Sequence, residues 1–439
     1  MGALGDVRKL PVRLPVSSLT SSTSSQKPTT SIRQGDALNC DFIPDDTIDL
    51  VITSPPYFAL RAYKDNGEVI AVVGNEPTPR DYITTLLIWM KEMRRVLKPT
   101  GSVFVVLGDK MSGSGGHNNS AIGASKDRGP GRYNQESSGV RNKSLMGLPW
   151  RFANACVDDG WILRAEIVWS KPNGMPESTR DRVRRTHESI FHFTKEGTYY
   201  SAVDRIRTPP KDRPLDWEHI GESKEYHTGE RMSEGTGLGL QTSAGMHRQK
   251  GGVYNPLGAS PRSVWEISTS GLTIPADIIT RLRADRHYAA FPPEIPRRII
   301  TGWCPRAICL ECGQGRTPLV RRTKMVWTPS VGRASAVSAT LGSGTRTRLS
   351  GTMNSPPTAV IVGEKCGCPP SRISAPSTPA IVLDPFAGAG TTALVAKILG
   401  RSSISVDISR SYVRLAQWRV FVSDHQGKLE TKWRREGLL

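Results

Sequence analysis

The sequence predicts an α/β fold with a largely parallel sheet, because apolar runs of strand type alternate with amphipathic runs of helical type. The alternation occurs in two stretches. One lies within residues 32–204, and the other, within residues 379–425, comes near the end of the 439-residue chain. A chain of this length allows either one large domain with insertions or two domains.

The first stretch contains a buried strand at residues 49–53, which ends directly before Ser54-Pro55-Pro56-Tyr57. Residues 80–97 carry apolar side chains at helical spacing, and Pro99-Thr100-Gly101 is predicted to end that helix. The other elements predicted here are strands at residues 103–107, 162–169 and 189–194 and a helix at residues 149–157. Two prolines therefore lie just past the carboxyl end of a strand.

The C-terminal stretch is predicted to contain a strand at residues 381–384, the turn Gly388-Ala389-Gly390-Thr391-Thr392, a helix at residues 393–399, a strand at residues 403–406 and a helix at residues 412–420. Glycines in a turn before a helix allow a ligand to approach the backbone closely. A carboxylate at the end of the next strand, such as Asp407, accepts hydrogen bonds from ribose hydroxyls in nucleotide-binding folds. With Asp384, it predicts a ligand that contains adenosine. An ordinary glycine turn is the alternative.

The composition favours a polyanionic partner inside a cell. The formal net charge of +19 suits nucleic acid or a membrane face, although a basic protein without such a partner is the alternative. No apolar run approaches the roughly 20 residues of a membrane helix, and the N-terminus lacks the pattern of a secretory signal. We therefore expect a cytoplasmic protein, in a bacterium or a virus-infected host cell, without a membrane partner.

Four of the seven cysteines form two close pairs, Cys309 with Cys312 and Cys366 with Cys368. Two short-spaced thiolate pairs are typical of a tetrahedral structural zinc site and indicate a reducing compartment. Cys304 could replace one of these ligands, and four unrelated free thiols are the alternative. Between the pairs, residues 324–358 are rich in Ser, Thr, Pro and Gly, and we interpret them as a flexible linker.

Two motifs resemble those of DNA methyltransferases that methylate exocyclic amino groups. Leu383-Asp384-Pro385-Phe386-Ala387-Gly388-Ala389-Gly390-Thr391-Thr392 resembles their S-adenosylmethionine motif, and Thr53-Ser54-Pro55-Pro56-Tyr57 resembles their catalytic motif. The catalytic motif comes first, as in the permuted beta class of N4-cytosine and N6-adenine DNA methylases. Residues 92–108, 169–173, 187–191 and 291–294 resemble further blocks of that class. The resemblance implies a Rossmann-like S-adenosylmethionine-dependent methyltransferase fold that is circularly permuted.

The resemblance also implies a set of residues that bind the cofactor, S-adenosylmethionine. They are Asp36, Asp384, Pro385, Phe386, Ala387, Gly388, Gly390, Thr391 and Asp407. Asp36 lies where the family has an acidic residue that contacts adenine, although a strand-end Asp that caps a turn is the alternative. Relatives pass from the block at residues 291–294 to the cofactor motif within a short stretch. Residues 304–378 are therefore interpreted as a zinc-binding insertion with a flexible linker.

The catalytic residues that the resemblance implies are Ser54, Pro55, Pro56 and Tyr57. An exocyclic amine is a poor nucleophile because its lone pair is delocalised into the ring, so the site must accept its hydrogens. We assign this role to the Ser54 hydroxyl and the Pro55 carbonyl, and Tyr57 is predicted to stack on a base flipped out of the duplex. Catalysis then rests on positioning and hydrogen bonding. A plain turn or a proline-rich ligand is the alternative.

Double-stranded DNA is the predicted partner. A basic run contains Lys171, Arg180, Arg182, Arg184 and Arg185, which we interpret as phosphate ligands, with a solvated charged loop as the alternative. Ser before Pro-Pro-Tyr favours N4 of cytosine in this family, whereas Asp favours N6 of adenine, and N6-adenine stays an alternative. Methylation at cytosine C5 is disfavoured because no cysteine follows a proline. An RNA methyltransferase and a zinc-containing DNA-binding protein with an inactive methyltransferase domain are more distant alternatives.

The chain is predicted to consist of a disordered tail (1–31), the catalytic half (32–204), a target-recognition region (205–285), the cofactor-binding half (286–303 and 379–425) and the insertion (304–378). Residues 112–140 and 211–252 are predicted to be loops. A cognate restriction endonuclease is a candidate partner. The sequence leaves the recognition site and the oligomeric state open.

Overall fold

The computed structural model describes residues 26–59, 73–113, 139–174, 176–177, 179–208, 255–282, 291–322, 359–369 and 375–439. Of residues 64–65, 68–69, 326–329 and 351–355 it describes the backbone only. Most of the predicted loop at residues 112–140, all of the loop at residues 211–252 and most of the predicted linker lie outside this part of the chain. The disordered tail was predicted to extend to residue 31, but the first strand begins at Thr30, so the predicted tail is two residues too long.

A sheet of eight strands forms the centre of the fold. In chain order the strands are β1 (Thr30–Gln34), β2 (Ile48–Thr53), β3 (Leu97–Leu107), β4 (Ile162–Ser170), β5 (His187–Thr194), β6 (Val264–Glu266), β7 (Ile381–Asp384) and β8 (Ser402–Asp407). Their order across the sheet is β1-β8-β7-β2-β3-β5-β4-β6. The two C-terminal strands, β7 and β8, thus lie between the N-terminal strands β1 and β2 in a single sheet.

The strand directions confirm the α/β class but not a largely parallel sheet throughout. β1, β8, β7, β2 and β3 are parallel to one another, β5 is antiparallel to both β3 and β4, and β6 is parallel to β4. The chain returns from β4 to β5 through residues 171–186 without a crossover helix, and a direct connection of this kind joins antiparallel strands. The sequence predicted six of these strands, all except β1 and β6, but not this reversal.

Seven α-helices flank the sheet in the described part of the chain. They are α1 (Pro79–Val96), α2 (Leu148–Asp158), α3 (Ala276–Leu282), α4 (Glu294–Trp303), α5 (Thr391–Ile398), α6 (Arg410–Gln417) and α7 (His425–Arg435), with a 3-10 turn at Val203–Ile206 and a π-helical turn at Trp418–Val422. The helices predicted within residues 80–97, 149–157, 393–399 and 412–420 correspond to α1, α2, α5 and α6. Within the described ranges no helix is both long and apolar enough to cross a membrane.

The central strands are buried on both faces. All six residues of β2 are buried. Val103 and Val105 of β3 pack with side chains of α1 and α2, whereas Phe104 and Val106 pack with side chains of α4 and α5. Strands covered on both faces read as continuous apolar runs, which is why β2 and β3 were recognisable.

β3 begins six residues earlier than predicted, directly after α1. Pro99 and Thr100 are exposed, and the register with β2 shifts between the pairs Ile48–Leu97 and Leu50–Ser102. The residues between Leu97 and Ser102 therefore form an irregularity in β3, and regular pairing with β2 resumes at Ser102. A proline is tolerated at such a place because no ladder hydrogen bond is required of it.

Residues 304–322, 359–369 and 375–378, here named the cysteine module, form short antiparallel strand pairs. Ile308–Cys309 pairs with Ser377–Thr378, and Thr317–Arg322 pairs with Ala359–Lys365. The backbone of Val326–Pro329 pairs with that of Gly351–Ser355, which corrects the interpretation of all of residues 324–358 as linker. Composition typical of loops hid these two short paired strands.

Candidate active site

The predicted catalytic motif lies at the switch point of the sheet, where the connections from two neighbouring strands run in opposite directions. β2 and β7 are parallel neighbours, and the chain continues from β2 to β3 on one side and from β7 to β8 on the other. Ligands of open α/β sheets bind at the carboxyl ends of strands at such a switch point. Ser54 follows β2 and Asp384 ends β7, so both lie at this edge, here named the carboxyl edge.

A hydrogen bond connects the two motifs. The buried Asp384 carboxylate, 2% exposed, accepts from the Thr53 hydroxyl (2.7 Å) and the Thr392 hydroxyl (2.6 Å). It also accepts from the backbone N–H of Phe386 (3.2 Å). Burial raises the pKa of Asp384 to about 6 in spite of these donors. Asp384 therefore fixes the glycine turn to the catalytic strand, and its contacts in the structure are internal ones.

The prolines of the motif are held from the side of α1. The Tyr82 hydroxyl donates to the Pro56 carbonyl (2.9 Å). Gly74, with a φ of +91°, approaches so closely that a Cβ there would lie 3.0 Å from Pro56 Cβ. Pro55 is buried beneath them. The backbone of the motif is thus fixed on both sides before any ligand binds.

Tyr57 lies in a closely fitted polar environment. Its hydroxyl donates to Glu188 Oε2 (2.8 Å) and accepts from the Ser54 hydroxyl (3.4 Å). A Cβ at Gly108 would lie only 2.6 Å from Tyr57 Cε2, so the ring edge needs a glycine there. Burial, followed by the charge of Glu188, holds the pKa of Tyr57 well above its usual value. Tyr57 is therefore a neutral phenol that donates its single proton to Glu188.

The five predicted phosphate ligands have different environments. Lys171, 19% exposed, pairs with Glu188, and its Nζ lies 4.3 Å from the ring centroid of Trp169. Arg182 pairs with Glu177 (3.1 Å), and Arg185 lies 3.6 Å from Asp109. Arg180 and Arg184 are exposed. Lys171 thus belongs to the surroundings of Tyr57, and the two exposed arginines lie in the connection from β4 to β5.

The glycine turn has the shape that the sequence predicted. Gly388 and Gly390 have φ angles of +50° and +72°, and a Cβ at Gly390 would lie 2.9 Å from Ala416 Cβ. The turn joins β7 to α5, which begins at Thr391. Arg419, itself buried, donates to the Thr391 hydroxyl (2.8 Å). Position 390, which caps this helix, therefore requires glycine, because its φ is positive and a Cβ would collide with Ala416.

Asp407 ends β8 and faces the glycine turn. Its carboxylate accepts from the backbone N–H groups of Gly388 (2.8 Å) and Ser409 (2.9 Å), and burial raises its pKa to about 6. Asp36 follows β1, the parallel neighbour of β8, and is exposed. Its Oδ1 accepts from the Leu38 N–H (2.9 Å), so it does cap a turn. The fold brings both carboxylates to the carboxyl edge.

The remaining residues of the predicted cofactor motif line the same turn. Pro385 is buried, the Phe386 ring meets Trp89 edge-on at 5.5 Å, and the Ala387 N–H donates to the Val406 carbonyl (2.9 Å). Sequence reasoning missed Glu188 as the hydrogen-bond partner of Tyr57, and with it the pairing of Glu188 with Lys171. A carboxylate inside an apolar strand, as in His187-Glu188-Ser189-Ile190-Phe191, was the available signal.

The four paired cysteines converge far from this edge. Their Sγ atoms all lie within 4.8 Å of one another, and those of Cys309 and Cys368 are 3.8 Å apart. Zinc–sulfur bonds of about 2.3 Å in a tetrahedron place the sulfurs about 3.8 Å apart. Backbone hydrogen bonds from Cys312 and Glu311 lower the pKa of Cys309 to about 6, whereas desolvation and the neighbouring thiols raise the pKa of Cys368, because the thiols share protons at close range. The donor set therefore fits a zinc ion.

The cysteine module packs against the amino ends of the parallel strands, here named the amino edge. Arg401, which precedes β8, donates to the Cys304 carbonyl (2.9 Å). Tyr200 donates to the Thr100 carbonyl (2.9 Å) through its N–H and to the Arg316 carbonyl (2.9 Å) through its hydroxyl. The module and the catalytic motif thus occupy opposite edges of one sheet.

The chain is similar to a described protein family, to curated relatives and to a solved structure. A family model described as DNA methylase matches residues 48–307 and 374–418. Type II methyltransferase M.SmaI of Serratia marcescens is 37% identical over 174 residues, which cover 40% of this chain and 58% of that protein. Type II methyltransferase M.Cfr9I of Citrobacter freundii is 31% identical over 273 residues, which cover 61% of this chain and 70% of that protein. The solved PvuII DNA methyltransferase (cytosine-N4-specific) matches with a TM-score of 0.46 at 17% identity, over 93% of this chain and 95% of that chain.

Proposed function

The chain belongs to the DNA methylase family, and from this premise we propose that it transfers a methyl group from S-adenosylmethionine to the exocyclic N4 of cytosine in duplex DNA. One observation carries the proposal. Ser54-Pro55-Pro56-Tyr57 lies at the switch point of the sheet and is joined by the Thr53–Asp384 hydrogen bond to the glycine turn. That arrangement puts a hydrogen-bond acceptor for an amine beside a turn suited to an adenosine-containing cofactor.

The proposed mechanism uses acceptors that the catalytic motif already holds in place. The Ser54 hydroxyl oxygen and the Pro55 carbonyl accept the hydrogens of the target amine, so that the nitrogen lone pair can attack. S-adenosylmethionine, when bound, supplies an electrophilic methyl group on a sulfonium. Tyr57 offers a ring for stacking, because a base must leave the duplex to reach such a site. Positioning and preorganised hydrogen bonds then supply the catalysis.

The proposed cofactor site lies at the carboxyl ends of β1, β7 and β8. Gly388 and Gly390 let the cofactor approach the turn, and the second lone pairs of Asp407 are free to accept from ribose hydroxyls. Asp36 is exposed toward the same edge for the adenine. Asp384 acts through the shape of the turn. The catalytic motif precedes the cofactor motif in the chain while both contribute strands to one sheet, which supports the circular permutation.

The choice of cytosine rests on Ser54. The family places Ser before Pro-Pro-Tyr mainly in N4-cytosine enzymes, and a hydroxyl is a weaker acceptor than the Asp favoured by N6-adenine enzymes. N6-adenine is the second candidate because the fold and the acceptors would be the same. The relatives named above are Type II methyltransferases, which supports a specific recognition site and a restriction-modification role with a cognate endonuclease.

Contacts to DNA are proposed for the exposed arginines Arg180 and Arg184. Residues 205–285 are proposed for target recognition, and most of them lie outside the described residues. Cys309, Cys312, Cys366 and Cys368 are proposed to hold a structural zinc ion. Residues 308–373 fall outside the match to the family model, which supports an insertion in this region.

The test is direct chemical analysis of the product. Purified protein is incubated with unmethylated genomic DNA and labelled S-adenosylmethionine, and the DNA is digested to nucleosides for mass spectrometry. We expect labelled N4-methylcytosine. Labelled N6-methyladenine would move the substrate within the same mechanism. No label in DNA, with cofactor binding intact, would overturn the proposal in favour of RNA or of an inactive domain.

Two variants test the assignment of residues in the same assay. Ser54→Ala and Tyr57→Ala should lose methylation by about 100-fold or more, the size expected when one preorganised hydrogen-bond partner of a transition state is removed. Binding of S-adenosylmethionine, measured by isothermal titration calorimetry, should stay within twofold. A Tyr57→Ala enzyme with full activity would contradict the stacking role.

A further inference from the structure

Glu188 is a carboxylate at the carboxyl edge, and the proposed transfer of the methyl group assigns it no role. It lies near the start of β5, and the strand's next six residues, from Ser189 to Thr194, are all buried. Its Oε2 accepts from the Tyr57 hydroxyl (2.8 Å), and its Oε1 pairs with Lys171. Glu188 and Lys171 are only 17% and 19% exposed, so the pair is largely removed from solvent.

The direction of the hydrogen bonds in this chain of groups is fixed by chemistry. A carboxylate only accepts, and an ammonium group only donates. The Tyr57 hydroxyl has one proton and donates it to Glu188. Toward Ser54, the Tyr57 oxygen can therefore only accept a hydrogen bond. Ser54 in turn directs its one proton at Tyr57. Its lone pairs are then the part of the hydroxyl that a substrate meets.

This direction matters because the substrate amine approaches with its hydrogens. A Ser54 hydroxyl free to rotate would present its proton to the amine in part of the population, and donor would face donor. The Ser54–Tyr57 distance of 3.4 Å is long for two hydroxyls. Catalytic hydrogen bonds are often long without substrate and shorten in the reacting complex.

We propose that Glu188 is a positioning residue that sets the direction of the hydrogen bonds from Ser54 through Tyr57, and thereby keeps the Ser54 oxygen an acceptor for the substrate amine. The inference rests on the proposed methylation of an exocyclic amine and deepens it. Lys171 pairs with Oε1 of Glu188, so that Oε2 faces Tyr57. The Lys171 ammonium group makes a cation–π contact with the Trp169 ring, and Trp169 Nε1 donates to the Ile267 carbonyl (2.7 Å).

Glu188→Gln reverses the direction of the hydrogen bonds but keeps the size and shape of the side chain. Lys171 can only donate, so it should attract the amide oxygen of the glutamine and turn the NH2 group toward Tyr57. Tyr57 would then accept, give its proton to Ser54, and leave the Ser54 proton pointing at the substrate. The single-turnover rate of methylation of unmethylated genomic DNA should fall about 100-fold, while cofactor binding stays within twofold.

Removing the lysine should reverse part of this loss. In Lys171→Met/Glu188→Gln nothing holds the amide oxygen, so it can face Tyr57 and accept again. We expect this double variant to react about tenfold faster than Glu188→Gln alone. In a Tyr57→Phe background, Glu188→Gln should change the rate less than threefold, because the link to Ser54 is already absent.

Glu166→Gln is the matched control. Glu166 lies on the neighbouring strand β4 and accepts from the Ser189 hydroxyl (2.6 Å), outside the Tyr57 environment. Its rate should stay within twofold of the parent. Wild-type protein is assayed first, and its failure to label DNA would sink the proposed function and not this inference alone.

Three results would overturn the positioning role of Glu188. These are a Glu188→Gln rate within threefold of the parent, a double variant slower than Glu188→Gln, or full additivity of Glu188→Gln with Tyr57→Phe. If Glu188→Gln does not fold, Tyr57→Phe alone still decides. Tyr57→Phe keeps the aromatic ring but removes the hydroxyl that connects Glu188 to Ser54. A parental rate of methylation would exclude any role for the direction of these hydrogen bonds.

Discussion

The two edges of the sheet hold their functional residues by different means. At the carboxyl edge, Ser54 and Tyr57 extend from β2, all of whose residues are buried, and Asp384 ties that strand to the next. At the amino edge, the strands Thr317–Arg322 and Ala359–Lys365 contain no buried residue. The first edge takes its shape from the apolar core, whereas the second has almost no core of its own.

The difference indicates what each edge requires. A site built on buried strands keeps its geometry without a ligand, because core packing and hydrogen bonds define each position. A small module with half-exposed strands needs a cross-link, since too little apolar surface is buried to offset the loss of chain entropy. Four converging thiols are a suitable cross-link, because one metal ion can bind all of them.

Removal of the metal should therefore give the largest effect, and it should be confined to the amino edge. Structural zinc contributes about 10–16 kcal/mol to the folding of small zinc domains. In Cys309→Ser, we expect bound zinc, measured by plasma mass spectrometry, to fall from one ion per chain to none. Limited proteolysis should then cut within residues 304–378, while the single-turnover methylation rate stays within twofold.

Cys40→Ala is the control for this experiment, because Cys40 is a buried thiol outside the module. It should keep its zinc and its resistance to protease. A parent protein that contains no zinc and still resists protease would contradict the cross-link. Loss of the methylation rate together with the metal would show that the two edges are coupled.

The sequence was informative where structure follows from local pattern. The uninterrupted apolar runs of β2 and β7 and the helical spacing of α1 located these elements to within about two residues. The glycine turn was recognisable because Gly388 and Gly390 have positive φ angles that favour glycine, and a side chain at Gly390 would also collide with Ala416. The pairing of four cysteines by short spacing also identified residues that the fold brings together.

Contacts between distant parts of the chain could not be predicted in the same way. No local pattern links Tyr57 to Glu188, which is 131 positions away, or Thr53 to Asp384, which is 331 positions away. Lys171 was interpreted as a phosphate ligand because it stands in a basic run, and only the pairing of β4 with β5 reveals its carboxylate partner. Such pairings depend on strand order, which patterning does not specify.

Buried carboxylates should make the carboxyl edge sensitive to pH. The folded-state pKa of Asp384 is about 6 against an ordinary value of 3.8, so the folded state holds its proton more tightly than the unfolded chain. Its contribution to stability therefore falls as pH rises from about 4 to about 6 and stays low above that. In Asp384→Asn this decline should be absent, which amounts to at most about 3 kcal/mol between pH 4 and pH 7.

The measurement is the free energy of unfolding from urea titrations at several pH values. The difference between Asp384→Asn and the parent should shift in favour of the variant as pH rises, on top of a constant loss from the hydroxyl contacts. Asp158→Asn, at an exposed helix end, should give a curve parallel to that of the parent. A parallel curve for Asp384→Asn as well would mean that its carboxylate is not desolvated.

The smallest expected effect distinguishes which edge faces DNA. Arg180 and Arg184 lie in the connection between β4 and β5 at the carboxyl edge, whereas Arg321 and Arg322 are exposed on the cysteine module. Each lost phosphate contact lowers the slope of log affinity against log salt by about 0.9. Arg180→Ala/Arg184→Ala should therefore flatten the slope, measured by fluorescence anisotropy on duplex DNA, by about 1.8. Arg321→Ala/Arg322→Ala should leave it unchanged, because a duplex that delivers a base to Ser54 lies across the opposite edge. The reverse result would place DNA along the module and give the cysteine cluster a role in binding as well as in folding.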